Sequence, residues 1–199
     1  MRYGMVIDLS RCVGCQACTV ACKQINGTPP DILFSRVIIR EVGTFPNAAI
    51  KPLPILCNHC DAPPCVPVCP VGATKKQPNG IVTIDQQQCI GCRRCMAACP
   101  YDARSFNELK PPPQYEGRDP TPFETALQSR NKPGTVGKCD FCLARVSAGS
   151  EPKCVETCPG KARFFGDLDD PNSGVAKLIG RGATPLHAEY GTKPSVFYL

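Results

Sequence analysis

Short apolar runs alternate with polar, proline-rich breaks along this chain, and few of the runs are longer than a strand or two helical turns. Tyr3 to Leu9 is an apolar run of strand length. Gln16 to Ile25 reads as a short helix that stops near Asn26-Gly27, and Thr28-Pro29-Pro30 breaks the chain after it. Arg36 to Val42 (RVIIREV) is a β-branched strand, with Ala48 to Leu56 returning beside it across the turn chemistry of Gly43-Thr44-Phe45-Pro46-Asn47. Ala73 to Lys76 and Gly80 to Asp85 flank Gln77-Pro78-Asn79-Gly80, and Asn-Gly between two extended segments predicts a hairpin. From Phe106 to Gly137 the rhythm lapses. Pro111-Pro112-Pro113 and Asp119-Pro120-Thr121-Pro122 argue against regular structure, leaving one short helix over Phe123 to Asn131. A connector of this length is often a binding element or disordered. Leu143 to Ser147 predicts a turn of helix, Ala162 to Leu168 a strand, and Ser173 to Arg181 a helix with Ser173 as N-cap. The apolar end, Lys193 to Leu199, is expected to dock. The fold class is α+β.

Composition changes that picture. The 199 residues allow one large domain or two small ones, and they include 16 Cys, 22 Pro and no Trp. Proline is at roughly double its usual 5%, so such a chain cannot build a conventional core of its size. Sixteen thiols must organise it, as disulfides or as metal ligands. Disulfides need an oxidising compartment and usually a secretory signal. Met1 to Asp8 shows no charged n-region, apolar h-region or cleavage site, which predicts no signal peptide of its own. No run of 18 apolar residues predicts a membrane span. Metal ligation is favoured.

The cysteines fall into four blocks. The clearest is Cys89-x2-Cys92-x2-Cys95-x3-Cys99-Pro100, the spacing by which bacterial ferredoxins hold iron–sulfur clusters. Three closely spaced thiolates wrap one cubane, and the fourth, on a helix pointing away, normally ligates the neighbouring one. Gly91 lets the loop backbone approach the sulfides, and Pro100 stops the local structure. The first block is Cys12-x2-Cys15-x2-Cys18-x3-Cys22, with Gly14 where Gly91 falls and Lys23 in place of the proline. The second is Cys57-x2-Cys60-x4-Cys65-x3-Cys69-Pro70, with Pro63-Pro64 in the longer loop. The fourth is Cys139-x2-Cys142-x11-Cys154-x3-Cys158-Pro159. Alone it could hold zinc, but as a fourth copy it reads as a cluster block.

Four blocks of four cysteines leave none over, the arithmetic of four [4Fe-4S] clusters. Blocks two and three are joined by a hairpin and form one unit; blocks one and four then form the other. The expected ligand sets are Cys12, Cys15, Cys18 with Cys158; Cys139, Cys142, Cys154 with Cys22; Cys57, Cys60, Cys65 with Cys99; and Cys89, Cys92, Cys95 with Cys69. The expected architecture is two pseudo-symmetric two-cluster bacterial-ferredoxin-like units, one from residues 1–35 and 136–170, the other from 36–105. Residues 106–135 are a proline-rich insert and 171–199 a C-terminal extension docking on the unit or a partner.

The formal charge of +6 superficially suggests an anionic partner. Four [4Fe-4S]2+ cores with their thiolates would add about −8, leaving roughly −2 overall. The Lys and Arg residues are better read as compensating cluster charge, and no basic run or aromatic stacking pattern supports nucleic acid. Lys23, Arg93, Arg94 and Lys161 lie beside ligand positions, where charge and hydrogen bonds raise cluster potentials. Of the two histidines, His59 sits inside the Cys57–Cys60 loop, where packing is the expected role, and His187 lies far from any block. No Ser-His-Asp set, phosphate-binding glycine loop or nucleotide fingerprint appears, so no catalytic role is expected for the chain alone.

The whole pattern resembles the four-cluster iron–sulfur subunits of the membrane-associated molybdopterin oxidoreductases, the dimethyl sulfoxide reductase superfamily. Tyr3 to Leu9, Gly43-Thr44-Phe45-Pro46, Gly166 to Pro171 and Val196-Phe197-Tyr198 look most like the polysulfide, respiratory arsenate and tetrathionate reductase branch. Met96, Tyr101 and Ser105-Phe106-Asn107 lean toward the arsenate type. The resemblance implies an electron wire serving a large catalytic subunit with a molybdenum or tungsten bis-pterin, and often a quinol-oxidising membrane anchor. It also implies the order of the Cys12, Cys139, Cys57 and Cys89 clusters, with the first nearest the catalytic subunit and the last nearest the quinone side. Joint export with the partner to the periplasmic face is favoured, with a cytoplasmic location as the alternative. The rival readings are a polyferredoxin-like carrier of a hydrogenase or formate system and a zinc-stabilised interaction module.

Overall fold

The computed structural model describes residues 1–110, 117–128 and 130–199; the expected break at Pro111-Pro112-Pro113 lies outside them. The elements are short. In chain order the first half holds β1 (Tyr3–Ile7), α1 (Ala17–Asn26), β2 (Ser35–Val42), β3 (Ala49–Leu56), β4 (Thr74–Lys76), β5 (Val82–Ile84) and α2 (Arg94–Ala97). The second half adds β6 (Ser105–Phe106), α3 (Pro122–Gln128), β7 (Val136–Gly137), α4 (Leu143–Ser147), α5 (Lys153–Glu156), β8 (Arg163–Asp167), α6 (Gly174–Gly180) and β9 (Val196–Tyr198). Small sheets with a few short helices make this an α+β arrangement.

β1 is the centre strand of the order β8-β1-β9. β8 runs antiparallel to it, with Tyr3 opposite Asp167 and Ile7 opposite Arg163. β9 runs parallel, with Met5 opposite Val196. Both faces of β1 are covered: Met5 and Ile7 pack with Phe141, Val155 and Tyr198, while Val6 packs with Val175 and Leu178 of α6. A strand buried on both faces reads as a continuous apolar run, which is why its sequence does not alternate. Ser173 caps α6, accepting from the Ala176 N–H at 3.1 Å. The β2–β3 and β4–β5 pairs are antiparallel hairpins.

α1 ends at Gly27, left-handed at φ 60°, whose N–H returns to the Lys23 carbonyl. The insert supplies further partners for this helix end. Arg130 donates to the Ile25 carbonyl at 2.6 Å, and Asn131 to the Asn26 carbonyl at 2.7 Å. Asn131, expected within α3, is thus committed to the end of α1. The start of α3 is a capping box: the Glu124 N–H donates to Thr121 Oγ1 at 3.2 Å, and the Thr121 N–H to Glu124 Oε2 at 2.6 Å.

α1 also packs against α5, which brings the first and fourth cysteine blocks together. The C-terminal segment ties the Cys57 loop to β1. Its Ser195 N–H donates to the Asn58 carbonyl at 2.8 Å, and its Lys193 carbonyl accepts from the Asp61 N–H at 2.8 Å. Further on, the Leu199 N–H reaches the Ile7 carbonyl of β1 at 3.0 Å. Cysteines are part of the core: Cys18, Cys139 and Cys154 sit in the main apolar cluster, and Cys65 and Cys95 in a smaller one with Val82 and Val136.

Candidate metal centres

The cysteine loops repeat one backbone device. Gly14 and Gly91, third in their C-x2-C turns, adopt φ 69° and 70°, and the residues just past those turns, Gln16 and Arg93, are also left-handed at 63° and 59°. These paired reversals curl each turn before its helix begins. Glycine at position 91 is required by more than φ, because a Cβ there would overlap the Gly134 carbonyl oxygen. That neighbour is protein backbone, a second reason beside the one inferred from sequence. A second device follows the last cysteine of three blocks. Gly72, Asp102 and Lys161, each three residues beyond, take φ 63°, 47° and 48°. After Cys158 this turn aims the Ala162 N–H at its sulfur, at 3.3 Å. Cys69 receives backbone N–H groups from the corresponding turn, and these hold its thiol below the ordinary value even against the burial that pushes it up.

The structure brings the sixteen thiols into four groups. Cys12, Cys15, Cys18 and Cys158 line one cavity. Cys22, Cys139, Cys142 and Cys154 line a second, and Cys69, Cys89, Cys92 and Cys95 a third. Cys57, Cys65 and Cys99 gather near enough to Cys60 to raise its thiol electrostatically, after the larger effect of burial, to about 11. Among the described residues no three His, Cys, Asp or Glu side chains close on a point where one metal ion could sit. In three of the groups four thiols ring one cavity and do not converge on a point, the layout for a polynuclear guest.

Burial pushes the Cys22, Cys139 and Cys154 thiols up and lifts Cys142 to about 11. Thiolates in such surroundings need a compensating cation, which iron supplies. Three buried protein cations lie among them. Arg163 donates from Nη2 to Cys18 Sγ at 3.3 Å and to Ser35 Oγ at 3.2 Å, and it also faces Cys154. Arg104 sits beside Cys65, with Cys95 and Cys57 nearby. Lys138 donates to the Val82 and Cys139 carbonyls. None of the three forms an ion pair with a carboxylate among the described residues. Buried unpaired cations are costly, so thiolate-bound anionic clusters are the partners that fit them.

Sequence reasoning did not single out these three. It named Lys23, Arg93, Arg94 and Lys161, of which Arg93 does line the cavity of the Cys89 group, while the Lys23 charge is engaged elsewhere. The Lys23 ammonium donates to the carbonyls of Thr28, Pro29 and Pro30, and Arg93 stacks over Phe106 at 3.6 Å. A signal was nonetheless present: Arg104 and Arg163 each stand five residues past the last cysteine of a block, each preceded by Ala.

Fold and thiol groups together define an electron-transfer protein carrying four [4Fe-4S] clusters. Comparison with known proteins agrees. A 4Fe-4S dicluster domain model matches residues 48–112 and 113–168, and a 4Fe-4S binding domain model matches residues 3–24. A selenate reductase subunit of Mesobacillus selenatarsenatis is 46% identical across the whole chain, which covers 72% of that protein. The arsenate respiratory reductase iron–sulfur subunit of Shewanella sp. strain ANA-3 is 41% identical with 96% of it covered, and a tetrathionate reductase subunit of Salmonella typhimurium is 43% identical with 72% covered. The chain belongs to this family of iron–sulfur subunits of reductase complexes, whose part is electron transfer rather than catalysis. No helix among the described residues is long and apolar enough to cross a membrane.

Proposed function

We propose that the chain is the electron wire of a respiratory reductase for an oxyanion or sulfur compound, linking a molybdenum or tungsten bis-pterin subunit to a quinol-oxidising membrane anchor. Each group of four cysteines holds one cluster, and the fourth cysteine of a block serves the paired block. Residues 1–35 with 136–170, and residues 36–105, then form two pseudo-symmetric ferredoxin-like units. The sixteen cysteines hold the clusters by thiolate ligation, and the clusters accept and release single electrons; the protein's own part is to space them, exclude water and compensate charge.

One observation carries the reading of the ends: Cys15 and Cys92 are the exposed cysteines, one in the Cys12 group and one in the Cys89 group. A wire must be reachable at both ends and buried between. Val13 and Val20 are exposed near Cys15, and Ile90 near Cys92, apolar surface suited to a partner at each end. The inner order is supported by proximity. Cys154 feels Cys18, Cys139 feels Cys57, and Arg104 lies between Cys65 and Cys95. Electrons enter at the Cys89 group and leave at the Cys12 group. The names of the relatives, selenate, arsenate and tetrathionate reductases, support the substrate class.

The complex works on the extracytoplasmic face, exported jointly with its catalytic partner. Anaerobic affinity purification of the chain from its own cells tests the assignment. A large pterin-containing chain and quinol-dependent reduction of an oxyanion or sulfur compound are expected. Recovery with a hydrogenase subunit and no pterin chain would overturn it. Fractionating cells that express the chain without the partner tests the route, and export of the lone chain would contradict joint export.

A further inference from the structure

The third position of the first C-x2-C turn in each of the four blocks is left-handed, but it is not filled alike. Glycine occupies it at Gly14 and Gly91, in the two end groups. In the two inner groups a ring residue takes the same conformation, His59 at φ 41° and Phe141 at φ 55°. A left-handed backbone costs a side chain with a Cβ conformational energy that glycine does not incur. Such strain persists where the surroundings hold it, commonly at functional positions. The two rings stack on one another, with centroids 3.8 Å apart and planes at 26°. Both are buried, His59 completely. They form the joint between the Cys57 and Cys139 loops.

His59 is oriented as well as packed. The Val82 N–H donates to its Nδ1 at 3.0 Å, so that nitrogen is the acceptor and the ring hydrogen resides on Nε2. Nε2 is fully buried and has no hydrogen-bond partner among the described residues. A buried donor left unpaired is costly and rare. His59 and Phe141 each stand one residue before a cysteine, Cys60 and Cys142, so cluster sulfurs held by the two loops would be the acceptors offered at this joint.

We propose that His59 donates a hydrogen bond from Nε2 to a sulfur of the inner cluster pair, and so raises the reduction potential at the crossing between the two halves of the wire. The proposal rests on the reading of the Cys57 and Cys139 groups as adjacent inner clusters. A hydrogen bond to sulfur favours the reduced, more negative form. Phe141 is a positioning residue that fixes the ring plane, and Val82 fixes the tautomer. The step served is a single-electron transfer from the cluster of the Cys57 group to that of the Cys139 group, and His59 keeps its proton throughout.

The chain contains two histidines, His59 and His187, which makes isotope labelling selective. The complex is prepared with 15N-histidine in a His187→Gln background and reduced, and pulsed electron paramagnetic resonance is recorded. A 15N hyperfine coupling to an inner cluster is expected; its absence would overturn the proposal. His59→Phe keeps a stacking ring, at a position type where Phe141 shows that phenylalanine is accepted, and removes the N–H. Redox titration should show one inner cluster with a tenfold smaller ratio of reduced to oxidised form at fixed potential, equivalent to about 59 mV for one electron. His59→Gln should restore part of the shift. Unchanged potentials in His59→Phe would overturn the proposal, and the labelled His187→Gln protein decides if that variant fails to load. Iron and sulfide content, measured in every sample, reports separately on the four-cluster reading.

Discussion

Arg163 and Cys18, 145 residues apart in sequence, meet at 3.3 Å in the interior, and the same guanidinium faces Cys154 of the neighbouring group. One buried cation thus serves two cysteine groups. It enters from β8 opposite Ile7 of β1, so the central sheet sets its position.

Arg163→Met should therefore lower the potentials of the clusters in the Cys12 and Cys139 groups together while leaving those of the other two groups unchanged. Leaving buried anionic groups without their cation should also cost about 3–5 kcal/mol of stability. Arg163→Lys should recover part of both. Redox titration and thermal unfolding of the three proteins check this; a potential shift confined to the Cys89 group would contradict it.

Gly91 and Gly72 separate two costs of adding a Cβ. Both are left-handed, at φ 70° and 63°, but a Cβ at 91 would strike the Gly134 carbonyl oxygen, whereas one at 72 meets nothing within 4 Å. Gly72→Ala should cost only about 1–2 kcal/mol from backbone conformation. Gly91→Ala must also displace backbone, and it should lower the occupancy of the Cys89 group. Iron content and melting temperature of the two variants provide the comparison, and equal effects would contradict the steric account.

Much of the local structure was readable in the sequence because its causes are local. The Asn79-Gly80 turn makes the β4–β5 hairpin, Ser173 caps α6, and Gly27 ends α1. The parallel pairing of β9 with β1 was not readable, since apolar character marks Val196 to Tyr198 for burial without naming a partner strand. The buried cations were missed for a similar reason. Proximity to a cysteine in sequence placed Arg93 correctly beside the Cys89 group but also pointed to Lys23, which turns to the carbonyls after α1; whether a long side chain turns inward is set by distant packing, as Ser35 and Met5 do for Arg163. The stack of His59 on Phe141 joins residues from separate blocks, and only its raw signal, rings where the sister loops carry glycine, lay in the sequence.

Removing the clusters should dismantle the fold. The main core contains Cys18, Cys139 and Cys154, and the smaller one is built around Cys65 and Cys95. Protein stripped of iron leaves those positions without the group that holds them together. It should unfold without a cooperative transition and be cut by protease throughout. A sharp thermal transition in iron-free protein would count against this.

The central claim, that four clusters are held by crossed cysteine groups to make one path, meets its most direct test at α2. Cys95 lines the cavity of the Cys89 group, whereas Cys99, four residues on, lies near Cys60. Cys95→Ser and Cys99→Ser are compared by electron paramagnetic resonance of the intact complex during redox titration, with quinol and dye assays on the same samples. The account predicts altered centres of different spectral signature and potential in the two variants. It also predicts loss of quinol-dependent turnover with retained dye-dependent turnover in Cys95→Ser. The same altered centre in both variants, or undiminished quinol turnover in Cys95→Ser, would contradict it.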